Sequence, residues 1–288
     1  MPRKLLSPHT IQEILADYPS KLDNRFGSAK RDVEDLLMHT LNCTEAHLLA
    51  YPELELNPIQ FTKFKMDFQK RKRGLPLQYI FKEASFCGLP FKVTRFTLIP
   101  RPETEQLVET VVEYVKNNPI RNVVDIGTGT GAIIVSIAKK LDHDMDFFFI
   151  GTDKSISALQ VARYNALKNK TNVHFYTRDF IKKPFTFLPG TSWILVSNPP
   201  YLTEAELSEP SIQFEPRLAL YGGADGLDAY RTLISQVSKL ENKPKAIFFE
   251  IGFKQAAAVK ELAKQLNPKG VEVIKDFCDK DRIVKIEL

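Results

Sequence analysis

Asn198-Pro199-Pro200-Tyr201 follows, after Ser197, the apolar run Trp193-Ile194-Leu195-Val196, which reads as a strand buried on both faces. Both prolines lack an N–H and hold φ at about −65°, so the chain leaves the sheet on a stiff path that turns carbonyls outward. A planar NH2 group carries two donors, which the Asn198 side-chain oxygen and the Pro199 carbonyl would accept while Tyr201 lies on its flat face. The nitrogen is then aimed at an electrophile. Taken alone, Pro-Pro after a strand is ordinarily no more than a turn. A second motif upstream shifts the balance.

That motif is Asp125-Ile126-Gly127-Thr128-Gly129-Thr130-Gly131, entered from a strand and left through a helix beginning at Ala132. Glycines let the backbone approach a ligand, and a helix start adds free N–H donors. With Ala132 the run also fits the dinucleotide pattern G-x-G-x-x-A, so the glycines by themselves leave NAD and FAD open. Asp153, after Phe147-Phe148-Phe149-Ile150-Gly151-Thr152, falls where a second-strand carboxylate binds ribose hydroxyls of either cofactor. Asn198 to Tyr201 decides between them, because hydride transfer has no use for that segment and alkylation of an NH2 nitrogen does. S-adenosylmethionine is therefore the expected cofactor. Gly127, Thr128, Gly129, Thr130 and Gly131 would lie under its methionine and ribose portions, with Asp153 on the ribose and Asn198 beside the reacting group. Asp125 would either receive the amino group or cap the turn.

The elements that position these residues follow from periodicity. Apolar residues recur at helical spacing in Ile11 to Tyr18, Val33 to Leu41 and Phe61 to Phe68, which predicts a small helical bundle over 1–75. Ser28 and Thr44 would cap helices there. Short alternating stretches such as Phe91-Lys92-Val93-Thr94-Arg95-Phe96 predict a hairpin connector over 76–100. From 101 to 288, strands at 121–126, 147–152, 172–176, 192–197, 245–251, 271–275 and 281–288 alternate with helices. The fold class expected is α/β, a doubly wound, mostly parallel seven-stranded sheet of Rossmann-like type.

Composition sets bounds on partners. With 43% apolar residues the chain can bury a core, and no apolar run approaches the ~20 residues of a membrane span. Pro8 and Glu13 interrupt any signal-peptide core. Cys43, Cys87 and Cys278 show no metal spacing, so a thiol-reduced cytoplasmic protein without metal is expected, each cysteine serving as a packing residue. The net charge of +5 is too slight to indicate specific DNA binding. Its densest basic run, Lys70-Arg71-Lys72-Arg73, reads as a solvated helix end stopped by Gly74, with contact to ribosomal RNA or an acidic partner as the minor alternative.

These motifs resemble the HemK/PrmC family, the N5-glutamine methyltransferases of peptide chain release factors. The resemblance extends to Leu98-Ile99-Pro100-Arg101-Pro102-Glu103-Thr104-Glu105, to Gly74-Leu75-Pro76-Leu77-Gln78-Tyr79-Ile80, to Phe214-Glu215-Pro216-Arg217-Leu218-Ala219-Leu220 and to Gly222-Gly223-Ala224-Asp225-Gly226-Leu227-Asp228-Ala229-Tyr230-Arg231. It implies a class I methyltransferase domain whose last strand, with Asp281-Arg282-Ile283-Val284, inserts antiparallel. It further implies a substrate glutamine in a Gly-Gly-Gln loop, an N-terminal bundle used for release-factor recognition, and work close to the ribosome. Asp179-Phe180 would sit beside the adenine; many relatives carry tryptophan where this chain has Phe180, and a His or Tyr where it has Phe253. Arg101 and Glu103 are expected on a pocket wall, and Glu215 as a support of the loop 202–220.

A glutamine amide is a poor nucleophile, since its lone pair is delocalised into the carbonyl. Two acceptors on its hydrogens, supplied by Asn198 and Pro199, would raise electron density at nitrogen and stabilise the charge growing there. No strong base is needed first, in keeping with His9, His39, His47, His143 and His174 all lying away from both motifs. Two rivals stand beside this reading. One is methylation of adenine N6 in DNA or RNA, which would need a surface to extract the base; the other is a non-catalytic module that binds a release factor or the ribosome.

Overall fold

Two units divide the chain: residues 1–82 together with Glu209–Phe214, and Glu83–Ser208 together with Glu215–Leu288. The computed structural model describes residues 9–23, 27–141, 147–179 and 192–288. Phe180 and His143 lie outside the described residues.

In the first unit, a two-residue strand β1 (His9–Thr10) pairs antiparallel with β2 (Glu55–Leu56). Around them fold α1 (Ile11–Asp17), α2 (Ala29–Leu41), α3 (Glu45–Ala50), α4 (Pro58–Lys72) and α5 (Leu77–Phe81). Side-chain oxygens start four of these helices: Thr10 with Glu13 and Asn57 with Gln60 form reciprocal capping boxes, and Ser28 and Thr44 accept from Arg31 and His47 amides. The buried faces carry Ile11, Ile14, Val33, Leu36, Leu37, Phe61, Phe64 and Phe68, the spacing that one face of a helix dictates.

The basic run at 70–73 is not uniformly solvated. Arg71 follows Phe64 and Phe68 onto the inner face of α4, is buried, and its Nε donates to Asp32 Oδ2 at 2.7 Å. Lys70, Lys72 and Arg73 are exposed at the helix end, Lys70 also bonding Asp67 at 2.7 Å. Removing one partner of a buried pair strands the other charge. Arg71→Ala should therefore destabilise this unit by about 3 kcal/mol, read as a lowered urea midpoint of the transition reporting on the first unit.

The division of the chain also differs from the expected 75/76 and 100/101 boundaries. Leu75, Leu77, Ile80 and Phe81 pack on the bundle core, so the first unit continues to Lys82. The hairpin of β3 (Glu83–Phe86) and β4 (Leu89–Lys92) is no separate connector, because Phe86 and Phe91 pack with Leu107, Val111 and Ile134 inside the second unit.

The second unit continues with α6 (Glu105–Asn117), β5 (Asn122–Ile126), α7 (Ala132–Leu141), β6 (Phe148–Asp153), α8 (Ile156–Lys168), β7 (Val173–Thr177), β8 (Trp193–Ser197), α9 (Arg217–Leu220), α10 (Asp228–Ser238), β9 (Ala246–Glu250), α11 (Ala256–Ala263), β10 (Gly270–Lys275) and β11 (Asp281–Glu287). The seven strands lie in the order β10-β11-β9-β8-β5-β6-β7. Pairing is parallel from β9 through β7, and β11 inserts antiparallel between β9 and β10. Successive side chains point to opposite faces. Val123, Ile194, Val196 and Phe248 enter one core beneath α6, α7 and α8, whereas Val124, Leu195, Ile247 and Phe249 enter the other beneath α10 and α11.

After β5 the chain runs outward to β6 and β7, then crosses back to β8 on the other flank of β5. The carboxyl ends of β5, β6 and β8 thus meet at a topological switch point, where open α/β sheets bind ligands. Among the described residues no helix is long and apolar enough to cross a membrane. Cys43 and Cys87 pack beside the cores as expected, but Cys278 is exposed near the β10–β11 turn.

Candidate active site

A cavity of about 290 Å3 opens at that switch point. Its floor is Ile126, Gly127 and Gly129 after β5, Asp153 to Ser155 after β6, Arg178 and Asp179 after β7, and Ser197 to Pro200 after β8. Phe96, Thr97 and Leu98, Pro216, Leu218 and Ala219 around α9, and Ala229, Thr232 and Leu233 of α10 complete the walls.

The glycine turn shows why that residue type is needed. Gly127 and Gly129 have φ of 74° and 54°, and a Cβ on Gly127 would meet nothing within 4 Å, so the turn leaves open space. Gly131 and both threonines of the motif face the protein instead. Gly131 approaches Ala162 of α8, where a Cβ would lie 3.2 Å from the alanine methyl. Thr130 Oγ1 accepts from the Ala132 amide, and Thr128 Oγ1 donates to Asp125 Oδ2 at 2.6 Å. Asp125 is tied to the turn by that hydroxyl, while its Oδ1 is buried without a hydrogen-bond partner. Asp125 is fully buried and absent from the cavity wall, and burial pushes its carboxyl up to about 7 despite the Thr128 bond.

Asp153 does line the cavity. Its Oδ2 accepts from the Gly129 amide at 2.9 Å and its Oδ1 from the Ser155 amide at 2.8 Å, so one carboxylate joins the glycine turn to the start of α8. Burial raises its pKa, and the two amides oppose that rise. Asp179 also lies on the wall.

The segment after β8 is held from behind. Leu202 exchanges backbone hydrogen bonds with Leu220 and Gly222, and Gln255 Nε2 donates to the Tyr201 and Gly226 carbonyls at 3.1 and 3.2 Å. Asn198, Pro199 and Pro200 reach the cavity, but Tyr201 does not. Expected on the flat face of a substrate amide, its ring instead packs against the second core beside Gly252, and desolvation pushes its hydroxyl up to about 12. Tyr201 here anchors the segment. Gly222 is equally close: a Cβ there would stand 2.5 Å from the Pro200 carbonyl and 2.7 Å from Tyr201 Cα. Gly222→Ala must therefore displace Pro200 and Tyr201, and should destabilise the second unit by about 1–3 kcal/mol, read as a lowered urea midpoint.

Arg101 and Glu103 are not wall residues, contrary to expectation. Arg101 pairs with Glu215, whose other oxygen accepts from the Ile99 amide at 3.1 Å. Glu215 is the support expected of it, a buried carboxylate that fastens the approach to α9 onto the segment before α6. Arg217 instead makes an exposed two-point pair with Glu204.

Comparison with known proteins identifies the arrangement. Residues 13–81 match the PrmC N-terminal domain and residues 104–213 the Methyltransferase small domain. The release factor glutamine methyltransferase of Bacillus subtilis (strain 168) is 37% identical over 266 residues, covering 90% of this chain and 91% of that protein. Those of Moorella thermoacetica and Thermodesulfovibrio yellowstonii are 38% and 36% identical, over 87% and 92% of this chain and 88% and 94% of theirs. The chain belongs to the release factor glutamine methyltransferase family.

Solved structures agree on the fold. The hMettl16 catalytic domain in complex with MAT2A 3′UTR hairpin 1 superposes with a TM-score of 0.55 at 14% identity over 83% of each chain. Inside this family member, three positions not anticipated from the sequence shape the site. The walls from Phe96 to Leu98 and from α10 come from segments to which no cavity-lining role was assigned, although Leu98 opens one quoted motif. Asn165 of α8 is fully buried; it donates to the Lys92 and Thr130 carbonyls at 3.0 and 2.9 Å and accepts from the Lys92 amide at 2.7 Å. A carboxamide amid the apolar face Ala158, Leu159, Ala162 and Ala166 was the available signal. Third, Thr104 accepts from Asn198 Nδ2 at 3.3 Å.

Proposed function

We propose that this chain transfers a methyl group from S-adenosylmethionine to the side-chain nitrogen N5 of the glutamine in the Gly-Gly-Gln loop of peptide chain release factors. The observation that carries the reading is the convergence of Gly127, Gly129, Asp153, Asn198 and Pro199 on one cavity in a member of this family. The cavity suits the cofactor: the open space over Gly127 admits a ligand against the backbone, a carboxylate stands at the end of β6, and Leu98, Ala158, Pro199 and Leu233 supply apolar walls. Asp153 would take the ribose hydroxyls, Asp179 would lie beside the base, and Gly127 and Gly129 would pass under the sugar and methionine.

Bound S-adenosylmethionine supplies an electrophilic methyl group. The protein's part is positional. Asn198 Oδ1 and the Pro199 carbonyl accept the two amide hydrogens of the substrate glutamine, orient its nitrogen and stabilise positive charge there as the bond forms. Apolar walls exclude water from that point. The proton lost afterward passes to solvent, in keeping with the absence of any described histidine from the cavity wall. The reading is of a cytoplasmic enzyme, with the first unit as the part that recognises the release factor near the ribosome.

Incubation with labelled cofactor, a release factor and nucleic acid tests this directly. Mass spectrometry of the loop peptide should show one methyl group on the glutamine. Label in nucleic acid, or in no substrate, would refute the proposal.

A further inference from the structure

Glu250 closes β9 one residue beyond the Ser197–Phe249 pair of the β8–β9 register, which sets it alongside Asn198. The side chain is 1% exposed, and its Oε2 is buried without a hydrogen-bond partner. The Tyr230 hydroxyl donates to its backbone carbonyl at 2.7 Å, fixing the strand end. Thr104, in the turn before α6, and Asn198 both stand beside the carboxyl and favour its ionised form, and Asn198 Nδ2 donates to Thr104 Oγ1 at 3.3 Å. The charged and titratable groups facing it are Glu103 from the same turn, Arg282 from β11, Tyr201 after β8 and Tyr230 of α10. Arg282 is already engaged by Asp276, at 3.0 and 3.2 Å, and does not neutralise Glu250 by contact.

We infer that Glu250 and Thr104 are positioning residues that determine which way round the Asn198 carboxamide sits. An ionised carboxylate only accepts hydrogen bonds. It therefore holds the NH2 end of Asn198 against the protein and leaves Oδ1 for the cavity, where the proposed substrate amide needs an acceptor. A protonated carboxyl can donate to Oδ1 instead, and the carboxamide then turns an NH2 toward the substrate NH2. Burial pushes the Glu250 carboxyl up to about 7, with Glu103 adding to the rise while Thr104, Arg282 and Asn198 oppose it. Protonation lies on the acid side of that value, so the acceptor is lost as pH falls through neutrality.

The kinetic part of this inference rests on the amide-methylation reading; the structural part does not, and the experiment keeps them apart. In the cofactor-free full-length protein, the Asn198 side-chain NH2 resonances, assigned by their loss in Asn198→Asp, should titrate with a midpoint near neutral pH. They should not titrate in the nearly isosteric Glu250→Gln. In methyl-transfer assays Glu250→Gln should lose about tenfold or more in kcat at alkaline pH, should no longer show the acid limb of the wild-type profile, and should keep the KM for cofactor. Thr104→Val should lose activity that Thr104→Ser restores. Resonances invariant with pH in the wild type would overturn the inference whatever the substrate is. So would a Glu250→Gln enzyme with wild-type kcat and an unchanged acid limb. A wild type that titrates as expected but methylates no release factor would refute the functional proposal and leave the orientation of Asn198 standing.

Discussion

Asn198→Ala should cut methyl transfer by at least ~100-fold while cofactor affinity stays within about twofold of wild type. The substitution removes the side-chain acceptor and leaves the rest of the cavity, including Asp153 and both glycines, in place. An acceptor on an amide hydrogen matters little in the ground state, where water serves equally well. It matters as the nitrogen gains positive charge, because the N–H then becomes a stronger donor in a site where water cannot replace the lost partner. The loss should thus fall on kcat, with KM for the release factor much less affected. Single-turnover transfer and calorimetric cofactor binding check the two halves separately. Full activity in the variant would remove the amide clamp from the mechanism.

Asp153→Ala should have the opposite signature, weakening cofactor binding by about 100-fold. That magnitude joins two losses. Charge-assisted bonds to the ribose hydroxyls disappear, and so does the brace that holds the Gly129 and Ser155 amides at 2.9 and 2.8 Å. Asp153→Asn separates them, since a carboxamide oxygen can keep one of the amides while the charge is gone; its affinity should fall between wild type and Asp153→Ala. Because burial raises the Asp153 pKa, cofactor affinity should also decline on acidification sooner than for an ordinary aspartate. A defect in Asp153→Ala confined to turnover at saturating cofactor would contradict the ribose assignment.

Much of this was legible in the sequence because the informative residues obey local rules. Apolar runs bounded by glycine and proline placed the sheet strands within a residue or two of their observed ends, and Ser28 and Thr44 cap where their spacing to the apolar face demands. The place of Asn198 and Pro199 at the cavity, just past a buried strand, followed from the apolar run and the stiff turn after it. What escaped depends on which way a residue faces. Arg71 reads as one of four solvated charges until the helix is wound and it follows Phe68 inward to meet Asp32, thirty-nine positions earlier. Tyr201 reads as a substrate platform, yet the path set by two prolines turns its ring to the core. Thr104 meets Asn198, and Glu250 stands beside it, only in the folded sheet, since no linear pattern states that β9 lies beside β8 or that the turn before α6 reaches β8.

Asn165 closes off its own position to replacement. Its carboxamide serves one backbone amide and two carbonyls, belonging to the β4 strand and to the glycine turn. Aspartate has the same shape but cannot donate, and leucine of similar bulk offers nothing to any of the three. Either exchange would orphan buried peptide groups, so mutational tolerance at this helix position should resemble that of an active-site residue, although the side chain is not among those lining the cavity.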